Sequence, residues 1–349
     1  MASLTSEVVG GGGANAESQQ PLSCGNDWQA ALACMIRDPV ELCRLLELDP
    51  ALAAEAQQAA AGFPLLVSRE YVARIHSGDP QDPLLRQILP RAAETATVPG
   101  FRADPLREVD AAVAPGLLSK YHGRSLIVTT PGCGVHCRFC FRRHFPFSAS
   151  PPGLAHWEPA VRQIAADPSI HEVILSGGDP LTLPDDHLAK LTRQLAQITH
   201  LRRLRLHTRM PVMIPQRVTD EMLGWLRATR LSPVVVVQVN HPAEIDPAVA
   251  NALGRMVDAG VPVLCQSVLL RGVNDRLDVL AELYERLIDL RVIPYYLHQL
   301  DRVAGAAHFE VPEPVGVSLI EQLRARLPGY AVPRYVRQPP HGPAKECLG

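Results

Sequence analysis

Six short runs rich in β-branched and other apolar residues punctuate the second part of the chain: Ser125 to Thr130, Glu172 to Ser176, Leu204 to Thr208, Val234 to Val239, Val263 to Leu269 and Ile293 to Leu297. Each has the length of a strand, and after the first they recur about every 30 residues. Between them lie stretches with apolar residues at helical spacing, such as Asp185 to Gln197, Asp220 to Ala228 and Leu277 to Leu290. This alternation is the βα repeat of a parallel sheet. Six units predict an α/β fold, a partial (βα)6 barrel in which the loops after the strand C-termini carry the chemistry. Ahead of it, Asp38-Pro39-Val40-Glu41 reads as an N-cap, a proline at the first helical position and an N3 carboxylate, followed by Leu42, Leu45 and Leu46 on one helical face. The resulting division is a disordered tail over 1–25, rich in Gly, Ser, Ala and Gln, a helical region over 26–110, the partial barrel over 111–327 and a C-terminal segment over 328–349.

Composition narrows the function. The 349 residues carry 34 Lys+Arg against 36 Asp+Glu for a net charge of -2, and no apolar run approaches the roughly 18 residues of a membrane helix. A membrane span and a strongly basic nucleic-acid binder are thereby excluded, leaving an enzyme-sized chain. Eight cysteines without a secretory leader are too sparse for a disulfide scaffold, which predicts reduced thiols and a cytoplasmic location. Lysine occurs only at Lys120, Lys190 and Lys345, so chemistry that needs an amine has three candidates.

The loop after the first strand reads Cys133-Gly-Val-His-Cys137-Arg-Phe-Cys140. Thiolates spaced C-x3-C-x2-C can converge on one metal centre, and three of them ligate three irons of a [4Fe-4S] cubane, leaving the fourth open to an external ligand. A structural zinc site completed by His136 or His144, or three unrelated buried thiols, are the plainer alternatives. After the second strand comes Ser176-Gly177-Gly178-Asp179-Pro180. Adjacent glycines permit close approach of a ligand and Asp179 can accept from an ammonium group, although the same string also serves as an ordinary turn.

The cysteine spacing after the first strand of a six-unit βα domain resembles the radical S-adenosylmethionine (SAM) superfamily. The resemblance sharpens with Cys137-Arg-Phe-Cys140-Phe-Arg142-Arg143-His144-Phe145, Val268-Leu-Leu-Arg-Gly-Val-Asn-Asp275 and Tyr295-Tyr-Leu-His-Gln-Leu-Asp301, which look like lysine 2,3-aminomutases. Gly116-Leu-Leu-Ser-Lys-Tyr-His-Gly-Arg124, His298 and the early C-terminus look most like the branch that makes (R)-β-lysine for modifying elongation factor P.

That resemblance implies a [4Fe-4S] cluster on Cys133, Cys137 and Cys140, with SAM held by Gly177, Gly178, Asp179 and Gln266. It also implies pyridoxal 5'-phosphate (PLP) attached to Lys345, with Lys120 and Arg124 on its phosphate. Arg142 matches the arginine that grips the substrate carboxylate and Asp301 the aspartate that receives the distal ammonium of lysine. Each has a plainer reading: a frayed terminal lysine for Lys345, surface charges for Lys120 and Arg124, support of the cluster for Arg142, a helix cap for Asp301 and backbone satisfaction for Gln266. Lys190, in a polar helical pattern, reads as a surface residue.

The chain departs from the family pattern in several places. Gln338 stands where clostridial-type members place a second aspartate, Gln238 where a histidine is expected, and Pro339-Pro340-His341-Gly342 and Glu346-Cys347 surround Lys345. The implied partners are free L-lysine, an electron-donating reductant and, as a functional link, elongation factor P and its lysyl ligase. A homo-oligomer is compatible with the sequence; nucleic acid and membrane are not expected. Rival readings are a related amino-acid 2,3-aminomutase with another substrate and a zinc-stabilised, non-catalytic binding protein.

Overall fold

The structure, a computed structural model, describes residues 27–147 and 154–349, so the predicted tail over 1–25 lies outside the described residues. Five short helices come first: α1 (Trp28–Ala33), α2 (Pro39–Leu45), α3 (Pro50–Ala59), α4 (Arg69–Val72) and α5 (Pro83–Arg86). Aspartate side chains cap four of them. Asp38, Asp49 and Asp82 each precede a proline that opens the helix, so a sequence rule read at Asp38-Pro39 recurs along the region.

One ten-stranded sheet follows in sequential order: β1 (Ala112–Ala114), β2 (Leu117–Tyr121), β3 (Arg124–Val128), β4 (Glu172–Ser176), β5 (Arg203–Thr208), β6 (Ser232–Gln238), β7 (Val263–Val268), β8 (Ile293–His298), β9 (Arg334–Arg337) and β10 (Glu346–Cys347). The six predicted strands are β3 to β8, all parallel, and β9 adds a seventh parallel strand. Antiparallel strands extend both edges, β1 and β2 before β3, and β10 after β9. The remaining helices are α6 (Leu154–Ala166), α7 (Asp185–Ala196), α8 (Met210–Met213), α9 (Asp220–Arg227), α10 (Pro247–Asp258), α11 (Leu277–Asp289) and α12 (Glu313–Arg326). Among the described residues no helix is long and apolar enough to cross a membrane.

The period-two alternation of the strands sorts their side chains. Along β7, Val263, Cys265 and Ser267 are buried in the core, whereas Gln266 and Val268 face a cavity; along β5, Leu204, Leu206 and Thr208 are buried while Arg205 and His207 face the same cavity. Residues from β2 through β10 line that one space, which requires the sheet to wrap around it. The barrel interior is therefore an open cavity that admits charged and amide side chains, where a closed barrel packs apolar layers. Cys34 is disulfide-bonded, so the expectation of uniformly reduced thiols fails there, while Cys43, Cys133, Cys137, Cys140, Cys265 and Cys347 are free.

Candidate active site

The cavity holds about 620 Å³ and takes lining from every predicted site residue: the three clustered cysteines, Gly177 to Asp179, Lys120, Arg124, Arg142, Gln266, Asp301 and Lys345. Positions more than 200 residues apart in the chain thus meet because the strand ends converge and a C-terminal hairpin closes over them.

The cysteine loop is held from outside the barrel by the helical region. Val135 bridges to Val67, His136 N donates to Leu66 O at 2.8 Å, and Arg138 N donates to Gln87 O at 2.9 Å. Glu94 anchors the loop by accepting from Arg138 at 2.6 Å and from Arg143 at 2.8 Å in a buried ion-pair cluster, and both guanidiniums lie over the Phe63 ring. Burial pushes the Cys133 thiol well up and the Cys140 thiol up to about 11. Ligation needs the thiolate, and the positive charge of a bound metal is what would offset this burial. Among the described residues no three His, Cys, Asp or Glu side chains gather tightly enough for a single metal ion. His136 Nδ1 lies 2.9 Å from Pro64 O and His144 Nε2 3.2 Å from Ala304 O, so both rings are directed to backbone carbonyls rather than to the thiols. With both rings so engaged, the zinc alternative lacks the histidine that was to complete it.

The glycines of Ser176-Gly177-Gly178 let two loops touch. A Cβ on Gly178 would lie 2.1 Å from Gly132 O, and Gly177 adopts φ 128°. Gly178 N donates to Thr130 O at 2.7 Å and Asp179 N to Gly132 O at 2.6 Å, clamping the backbone just before Cys133. Asp179 is engaged otherwise than expected. Its carboxylate accepts from Leu181 N, Thr208 Oγ1, Arg209 N and Met210 N at 2.6 to 3.1 Å, which makes it a brace for the end of β5 instead of an open ammonium acceptor.

Arg142 is similarly occupied. Its Nε and Nη2 donate to the two carboxylate oxygens of Glu108 at 2.6 and 2.7 Å, and its Nη1 donates to Ser176 Oγ and Gly177 O at 3.0 and 3.1 Å. Four of its five N–H donors are taken, so a substrate carboxylate gains a two-pronged grip on this arginine only by displacing one of these partners. Glu108 went unrecognised in the sequence because an ion pair spanning 34 residues leaves no local pattern.

At the other side, Lys345 is carried into the cavity by the β9–β10 hairpin, which Arg337 ties down through Glu313 at 2.6 Å and Glu346 at 2.7 Å. Its Nζ donates to Gln338 Oε1 at 3.2 Å, lies 3.5 Å from His298 Nε2 and sits 5.2 Å from the centre of the Tyr296 ring. It is no frayed terminal residue. Burial lowers its pKa, offset in part by Asp301, and so increases the share of neutral, nucleophilic amine. The Asp301 carboxyl is pushed up by burial and by Glu108, while Lys345 and Lys120 draw it down. No hydrogen bond to that carboxylate occurs among the described residues, so Asp301 caps no helix and faces the cavity free to take a cation. Lys190, by contrast, pairs on the surface with Asp186 at 3.2 Å, as expected.

Lys120 Nζ donates to Leu106 O at 3.3 Å and Pro339 O at 2.9 Å, fastening the segment before β1 to the C-terminal hairpin. Arg124 stacks on Tyr121 with its guanidinium 5.0 Å from the ring centre. Arg205, which is paired with Glu172, and Arg334 also line the cavity and were missed by sequence reasoning; the inward parity of β5 and β9 was the signal that could have revealed them. Among the described residues, Tyr121 Oη and His207 Nε2 line this cavity buried without a partner, which fits a polar, anionic occupant such as PLP. Gln238 and Gln266 are register partners on β6 and β7 and both face the cavity.

Residues 127–284 match the Radical SAM superfamily. The chain is 42% identical over 323 residues to the L-lysine 2,3-aminomutase of Escherichia coli strain K12, covering 92% of this chain and 94% of that one. The chain belongs to the L-lysine 2,3-aminomutase family. The Haemophilus influenzae L-lysine 2,3-aminomutase is likewise 42% identical, over 89% of this chain and 92% of its own, and that of Clostridium subterminale is 35% identical over 92% and 77%. Membership makes the protein an isomerase of the radical SAM type, and the family implies a [4Fe-4S] cluster, SAM and PLP as its cofactors.

Proposed function

We propose that this protein converts L-α-lysine to (R)-β-lysine in a PLP-dependent radical SAM reaction, and that the product serves the modification of elongation factor P in the cytoplasm. The observation that carries the reading is the single cavity in which the cysteine loop and Lys345 meet. When bound, the cluster with SAM supplies a 5'-deoxyadenosyl radical, and PLP supplies a conjugated ring that steadies unpaired electron density during nitrogen migration.

The chain's own residues bind, orient and exclude. Cys133, Cys137 and Cys140 ligate the cluster, and Gln266 with Gln238 offers amide groups to SAM. Lys345, partly neutral near physiological pH, attaches PLP, with Arg124 and Lys120 on the phosphate side. Asp301 receives the distal ammonium of lysine, and Gln338, hydrogen-bonded to Lys345, offers that ammonium an acceptor without neutralising it. A carboxylate at this point favours a cationic tail over the acidic one of glutamate. Asp179 serves as a positioning residue, and Arg142 takes the substrate carboxylate in exchange for that of Glu108. The elongation factor link is supported by the branch-like features Gly116 to Arg124 and His298, the latter 3.5 Å from Lys345 Nζ.

The test is anaerobic incubation of iron-reconstituted protein with SAM, PLP, dithionite and L-lysine, followed by chiral chromatography of the amino acids. (R)-β-lysine is expected; β-glutamate formed preferentially from a glutamate control would overturn the substrate assignment. Recovery of (R)-β-lysyl groups on elongation factor P only in cells that carry the protein would test the second part of the proposal.

A further inference from the structure

One buried arginine touches the cysteine loop and belongs to no motif singled out in the sequence. Arg209, at the end of β5 and 5% exposed, directs Nη1 to Cys137 Sγ at 2.8 Å. Its Nη2 donates to Gln87 Oε1 at 2.7 Å and to Glu244 Oε2 at 2.9 Å. The other oxygen of Glu244 accepts from Gln87 Nε2, Asn240 N and His241 N at 3.0 to 3.1 Å. The backbone of Arg209 is fixed in turn by Asp179, which accepts from its N–H at 2.6 Å. A fixed cation therefore meets the sulfur of one expected ligand, and a fixed anion stands behind it.

We infer that Arg209 sets the reduction potential of the cluster through Cys137, with Glu244 as its opposing charge. This rests on the cluster assignment made above and adds to it a positioning residue that acts through a ligand. A hydrogen bond to a ligand sulfur and a nearby positive charge both stabilise the reduced cluster, which carries one more electron, and so raise its potential. A negative charge at Glu244 works in the opposite direction, attenuated by its greater remove and by its three other donors. The arrangement makes electron delivery to the cluster easier than a bare three-thiolate site would allow. It also gives Asp179 a consequence beyond its own strand, because that carboxylate orients the residue that touches Cys137.

The experiment is an anaerobic redox titration of the full-length, iron-reconstituted protein without SAM, followed by electron paramagnetic resonance of the reduced cluster, with iron and sulfide measured on each sample. Arg209→Gln is expected to shift the midpoint to more negative potential, Arg209→Lys by less, and Glu244→Gln to more positive potential. Opposite shifts from two residues of one buried pair are not what a general loosening of the fold produces. If Arg209→Gln fails to hold its cluster, the sign of the Glu244→Gln shift decides alone. Midpoints for Glu244→Gln and the Arg209 variants equal to that of the unmodified protein, at full iron content, would overturn the inference while leaving the cluster assignment intact. Absence of any reduced-cluster signal in the unmodified protein would overturn both.

Discussion

Gly178→Ala is a one-carbon perturbation with a large expected effect. The added Cβ would lie 2.1 Å from Gly132 O and 2.8 Å from the carbonyl carbons of Gly132 and Pro131, all backbone atoms that no rotamer change can move aside. The two loops must separate. Doing so strains or breaks the Gly178 N to Thr130 O and Asp179 N to Gly132 O bonds at 2.7 and 2.6 Å. Two buried hydrogen bonds at about 1 kcal/mol each, added to an overpacking cost of about 1–3 kcal/mol, give a destabilisation of about 3–5 kcal/mol. Because Cys133 directly follows Gly132, the same displacement moves a cluster ligand and should lower cluster loading. Urea unfolding of the cluster-free protein reads the first effect, and iron and sulfide content after reconstitution reads the second. Gly224→Ala is the control: it lies within α9 with open space where its Cβ would go, and is expected to gain about 0.5–1 kcal/mol. An unchanged urea midpoint and full iron loading in Gly178→Ala would refute the reasoning, since the loops would then part at no cost.

Three further expectations concern the other parts of the cavity. Lys345→Ala should abolish borohydride-trapped PLP on the C-terminal peptide while SAM binding persists; in the unmodified protein, burial lowers the lysine pKa, so trapping should level off at lower pH than for free lysine. Asp301→Asn should raise the KM for lysine at least tenfold with iron content unchanged, whereas unaltered lysine kinetics would remove it from the substrate site. Glu94→Ala leaves Arg138 and Arg143 buried without their shared carboxylate, an expected loss of about 3–5 kcal/mol seen in the urea midpoint.

What the sequence disclosed follows from how local each signal is. Strands β3 to β8 were legible because each is a short run rich in β-branched or other apolar residues between helical stretches, and the predicted Glu172–Ser176 agrees with β4 at both ends. The edge strands were not. Ala112–Ala114 and Glu346–Cys347 are too short to show periodicity, and Leu117–Tyr121, with two buried leucines followed by three half-buried residues, has no alternation to read. The three thiols could be picked out because they sit within one loop, and Lys345 because the chain has only two other lysines; both line the cavity. Glu108 with Arg142, Arg209 with Cys137, and Glu94 with Arg138 join residues 34, 72 and 44 positions apart, pairings that only the folded chain defines. The helical region gave no sequence clue to its purpose, yet its Gln87 and Glu94 hold the cysteine loop in place. The expected contacts of Asp179 and Arg142 differ for the same reason: their internal partners lie on remote elements.

The central claim is that one cavity joins a radical generated at the cysteine loop to lysine bound near Lys345. Turnover of L-lysine deuterated at C3, with deuterium measured by mass spectrometry in 5'-deoxyadenosine, SAM and β-lysine, tests that connection most directly. The account predicts deuterium in the adenosyl 5' carbon of SAM together with labelled β-lysine. β-Lysine formed while 5'-deoxyadenosine and SAM stay free of deuterium would contradict it.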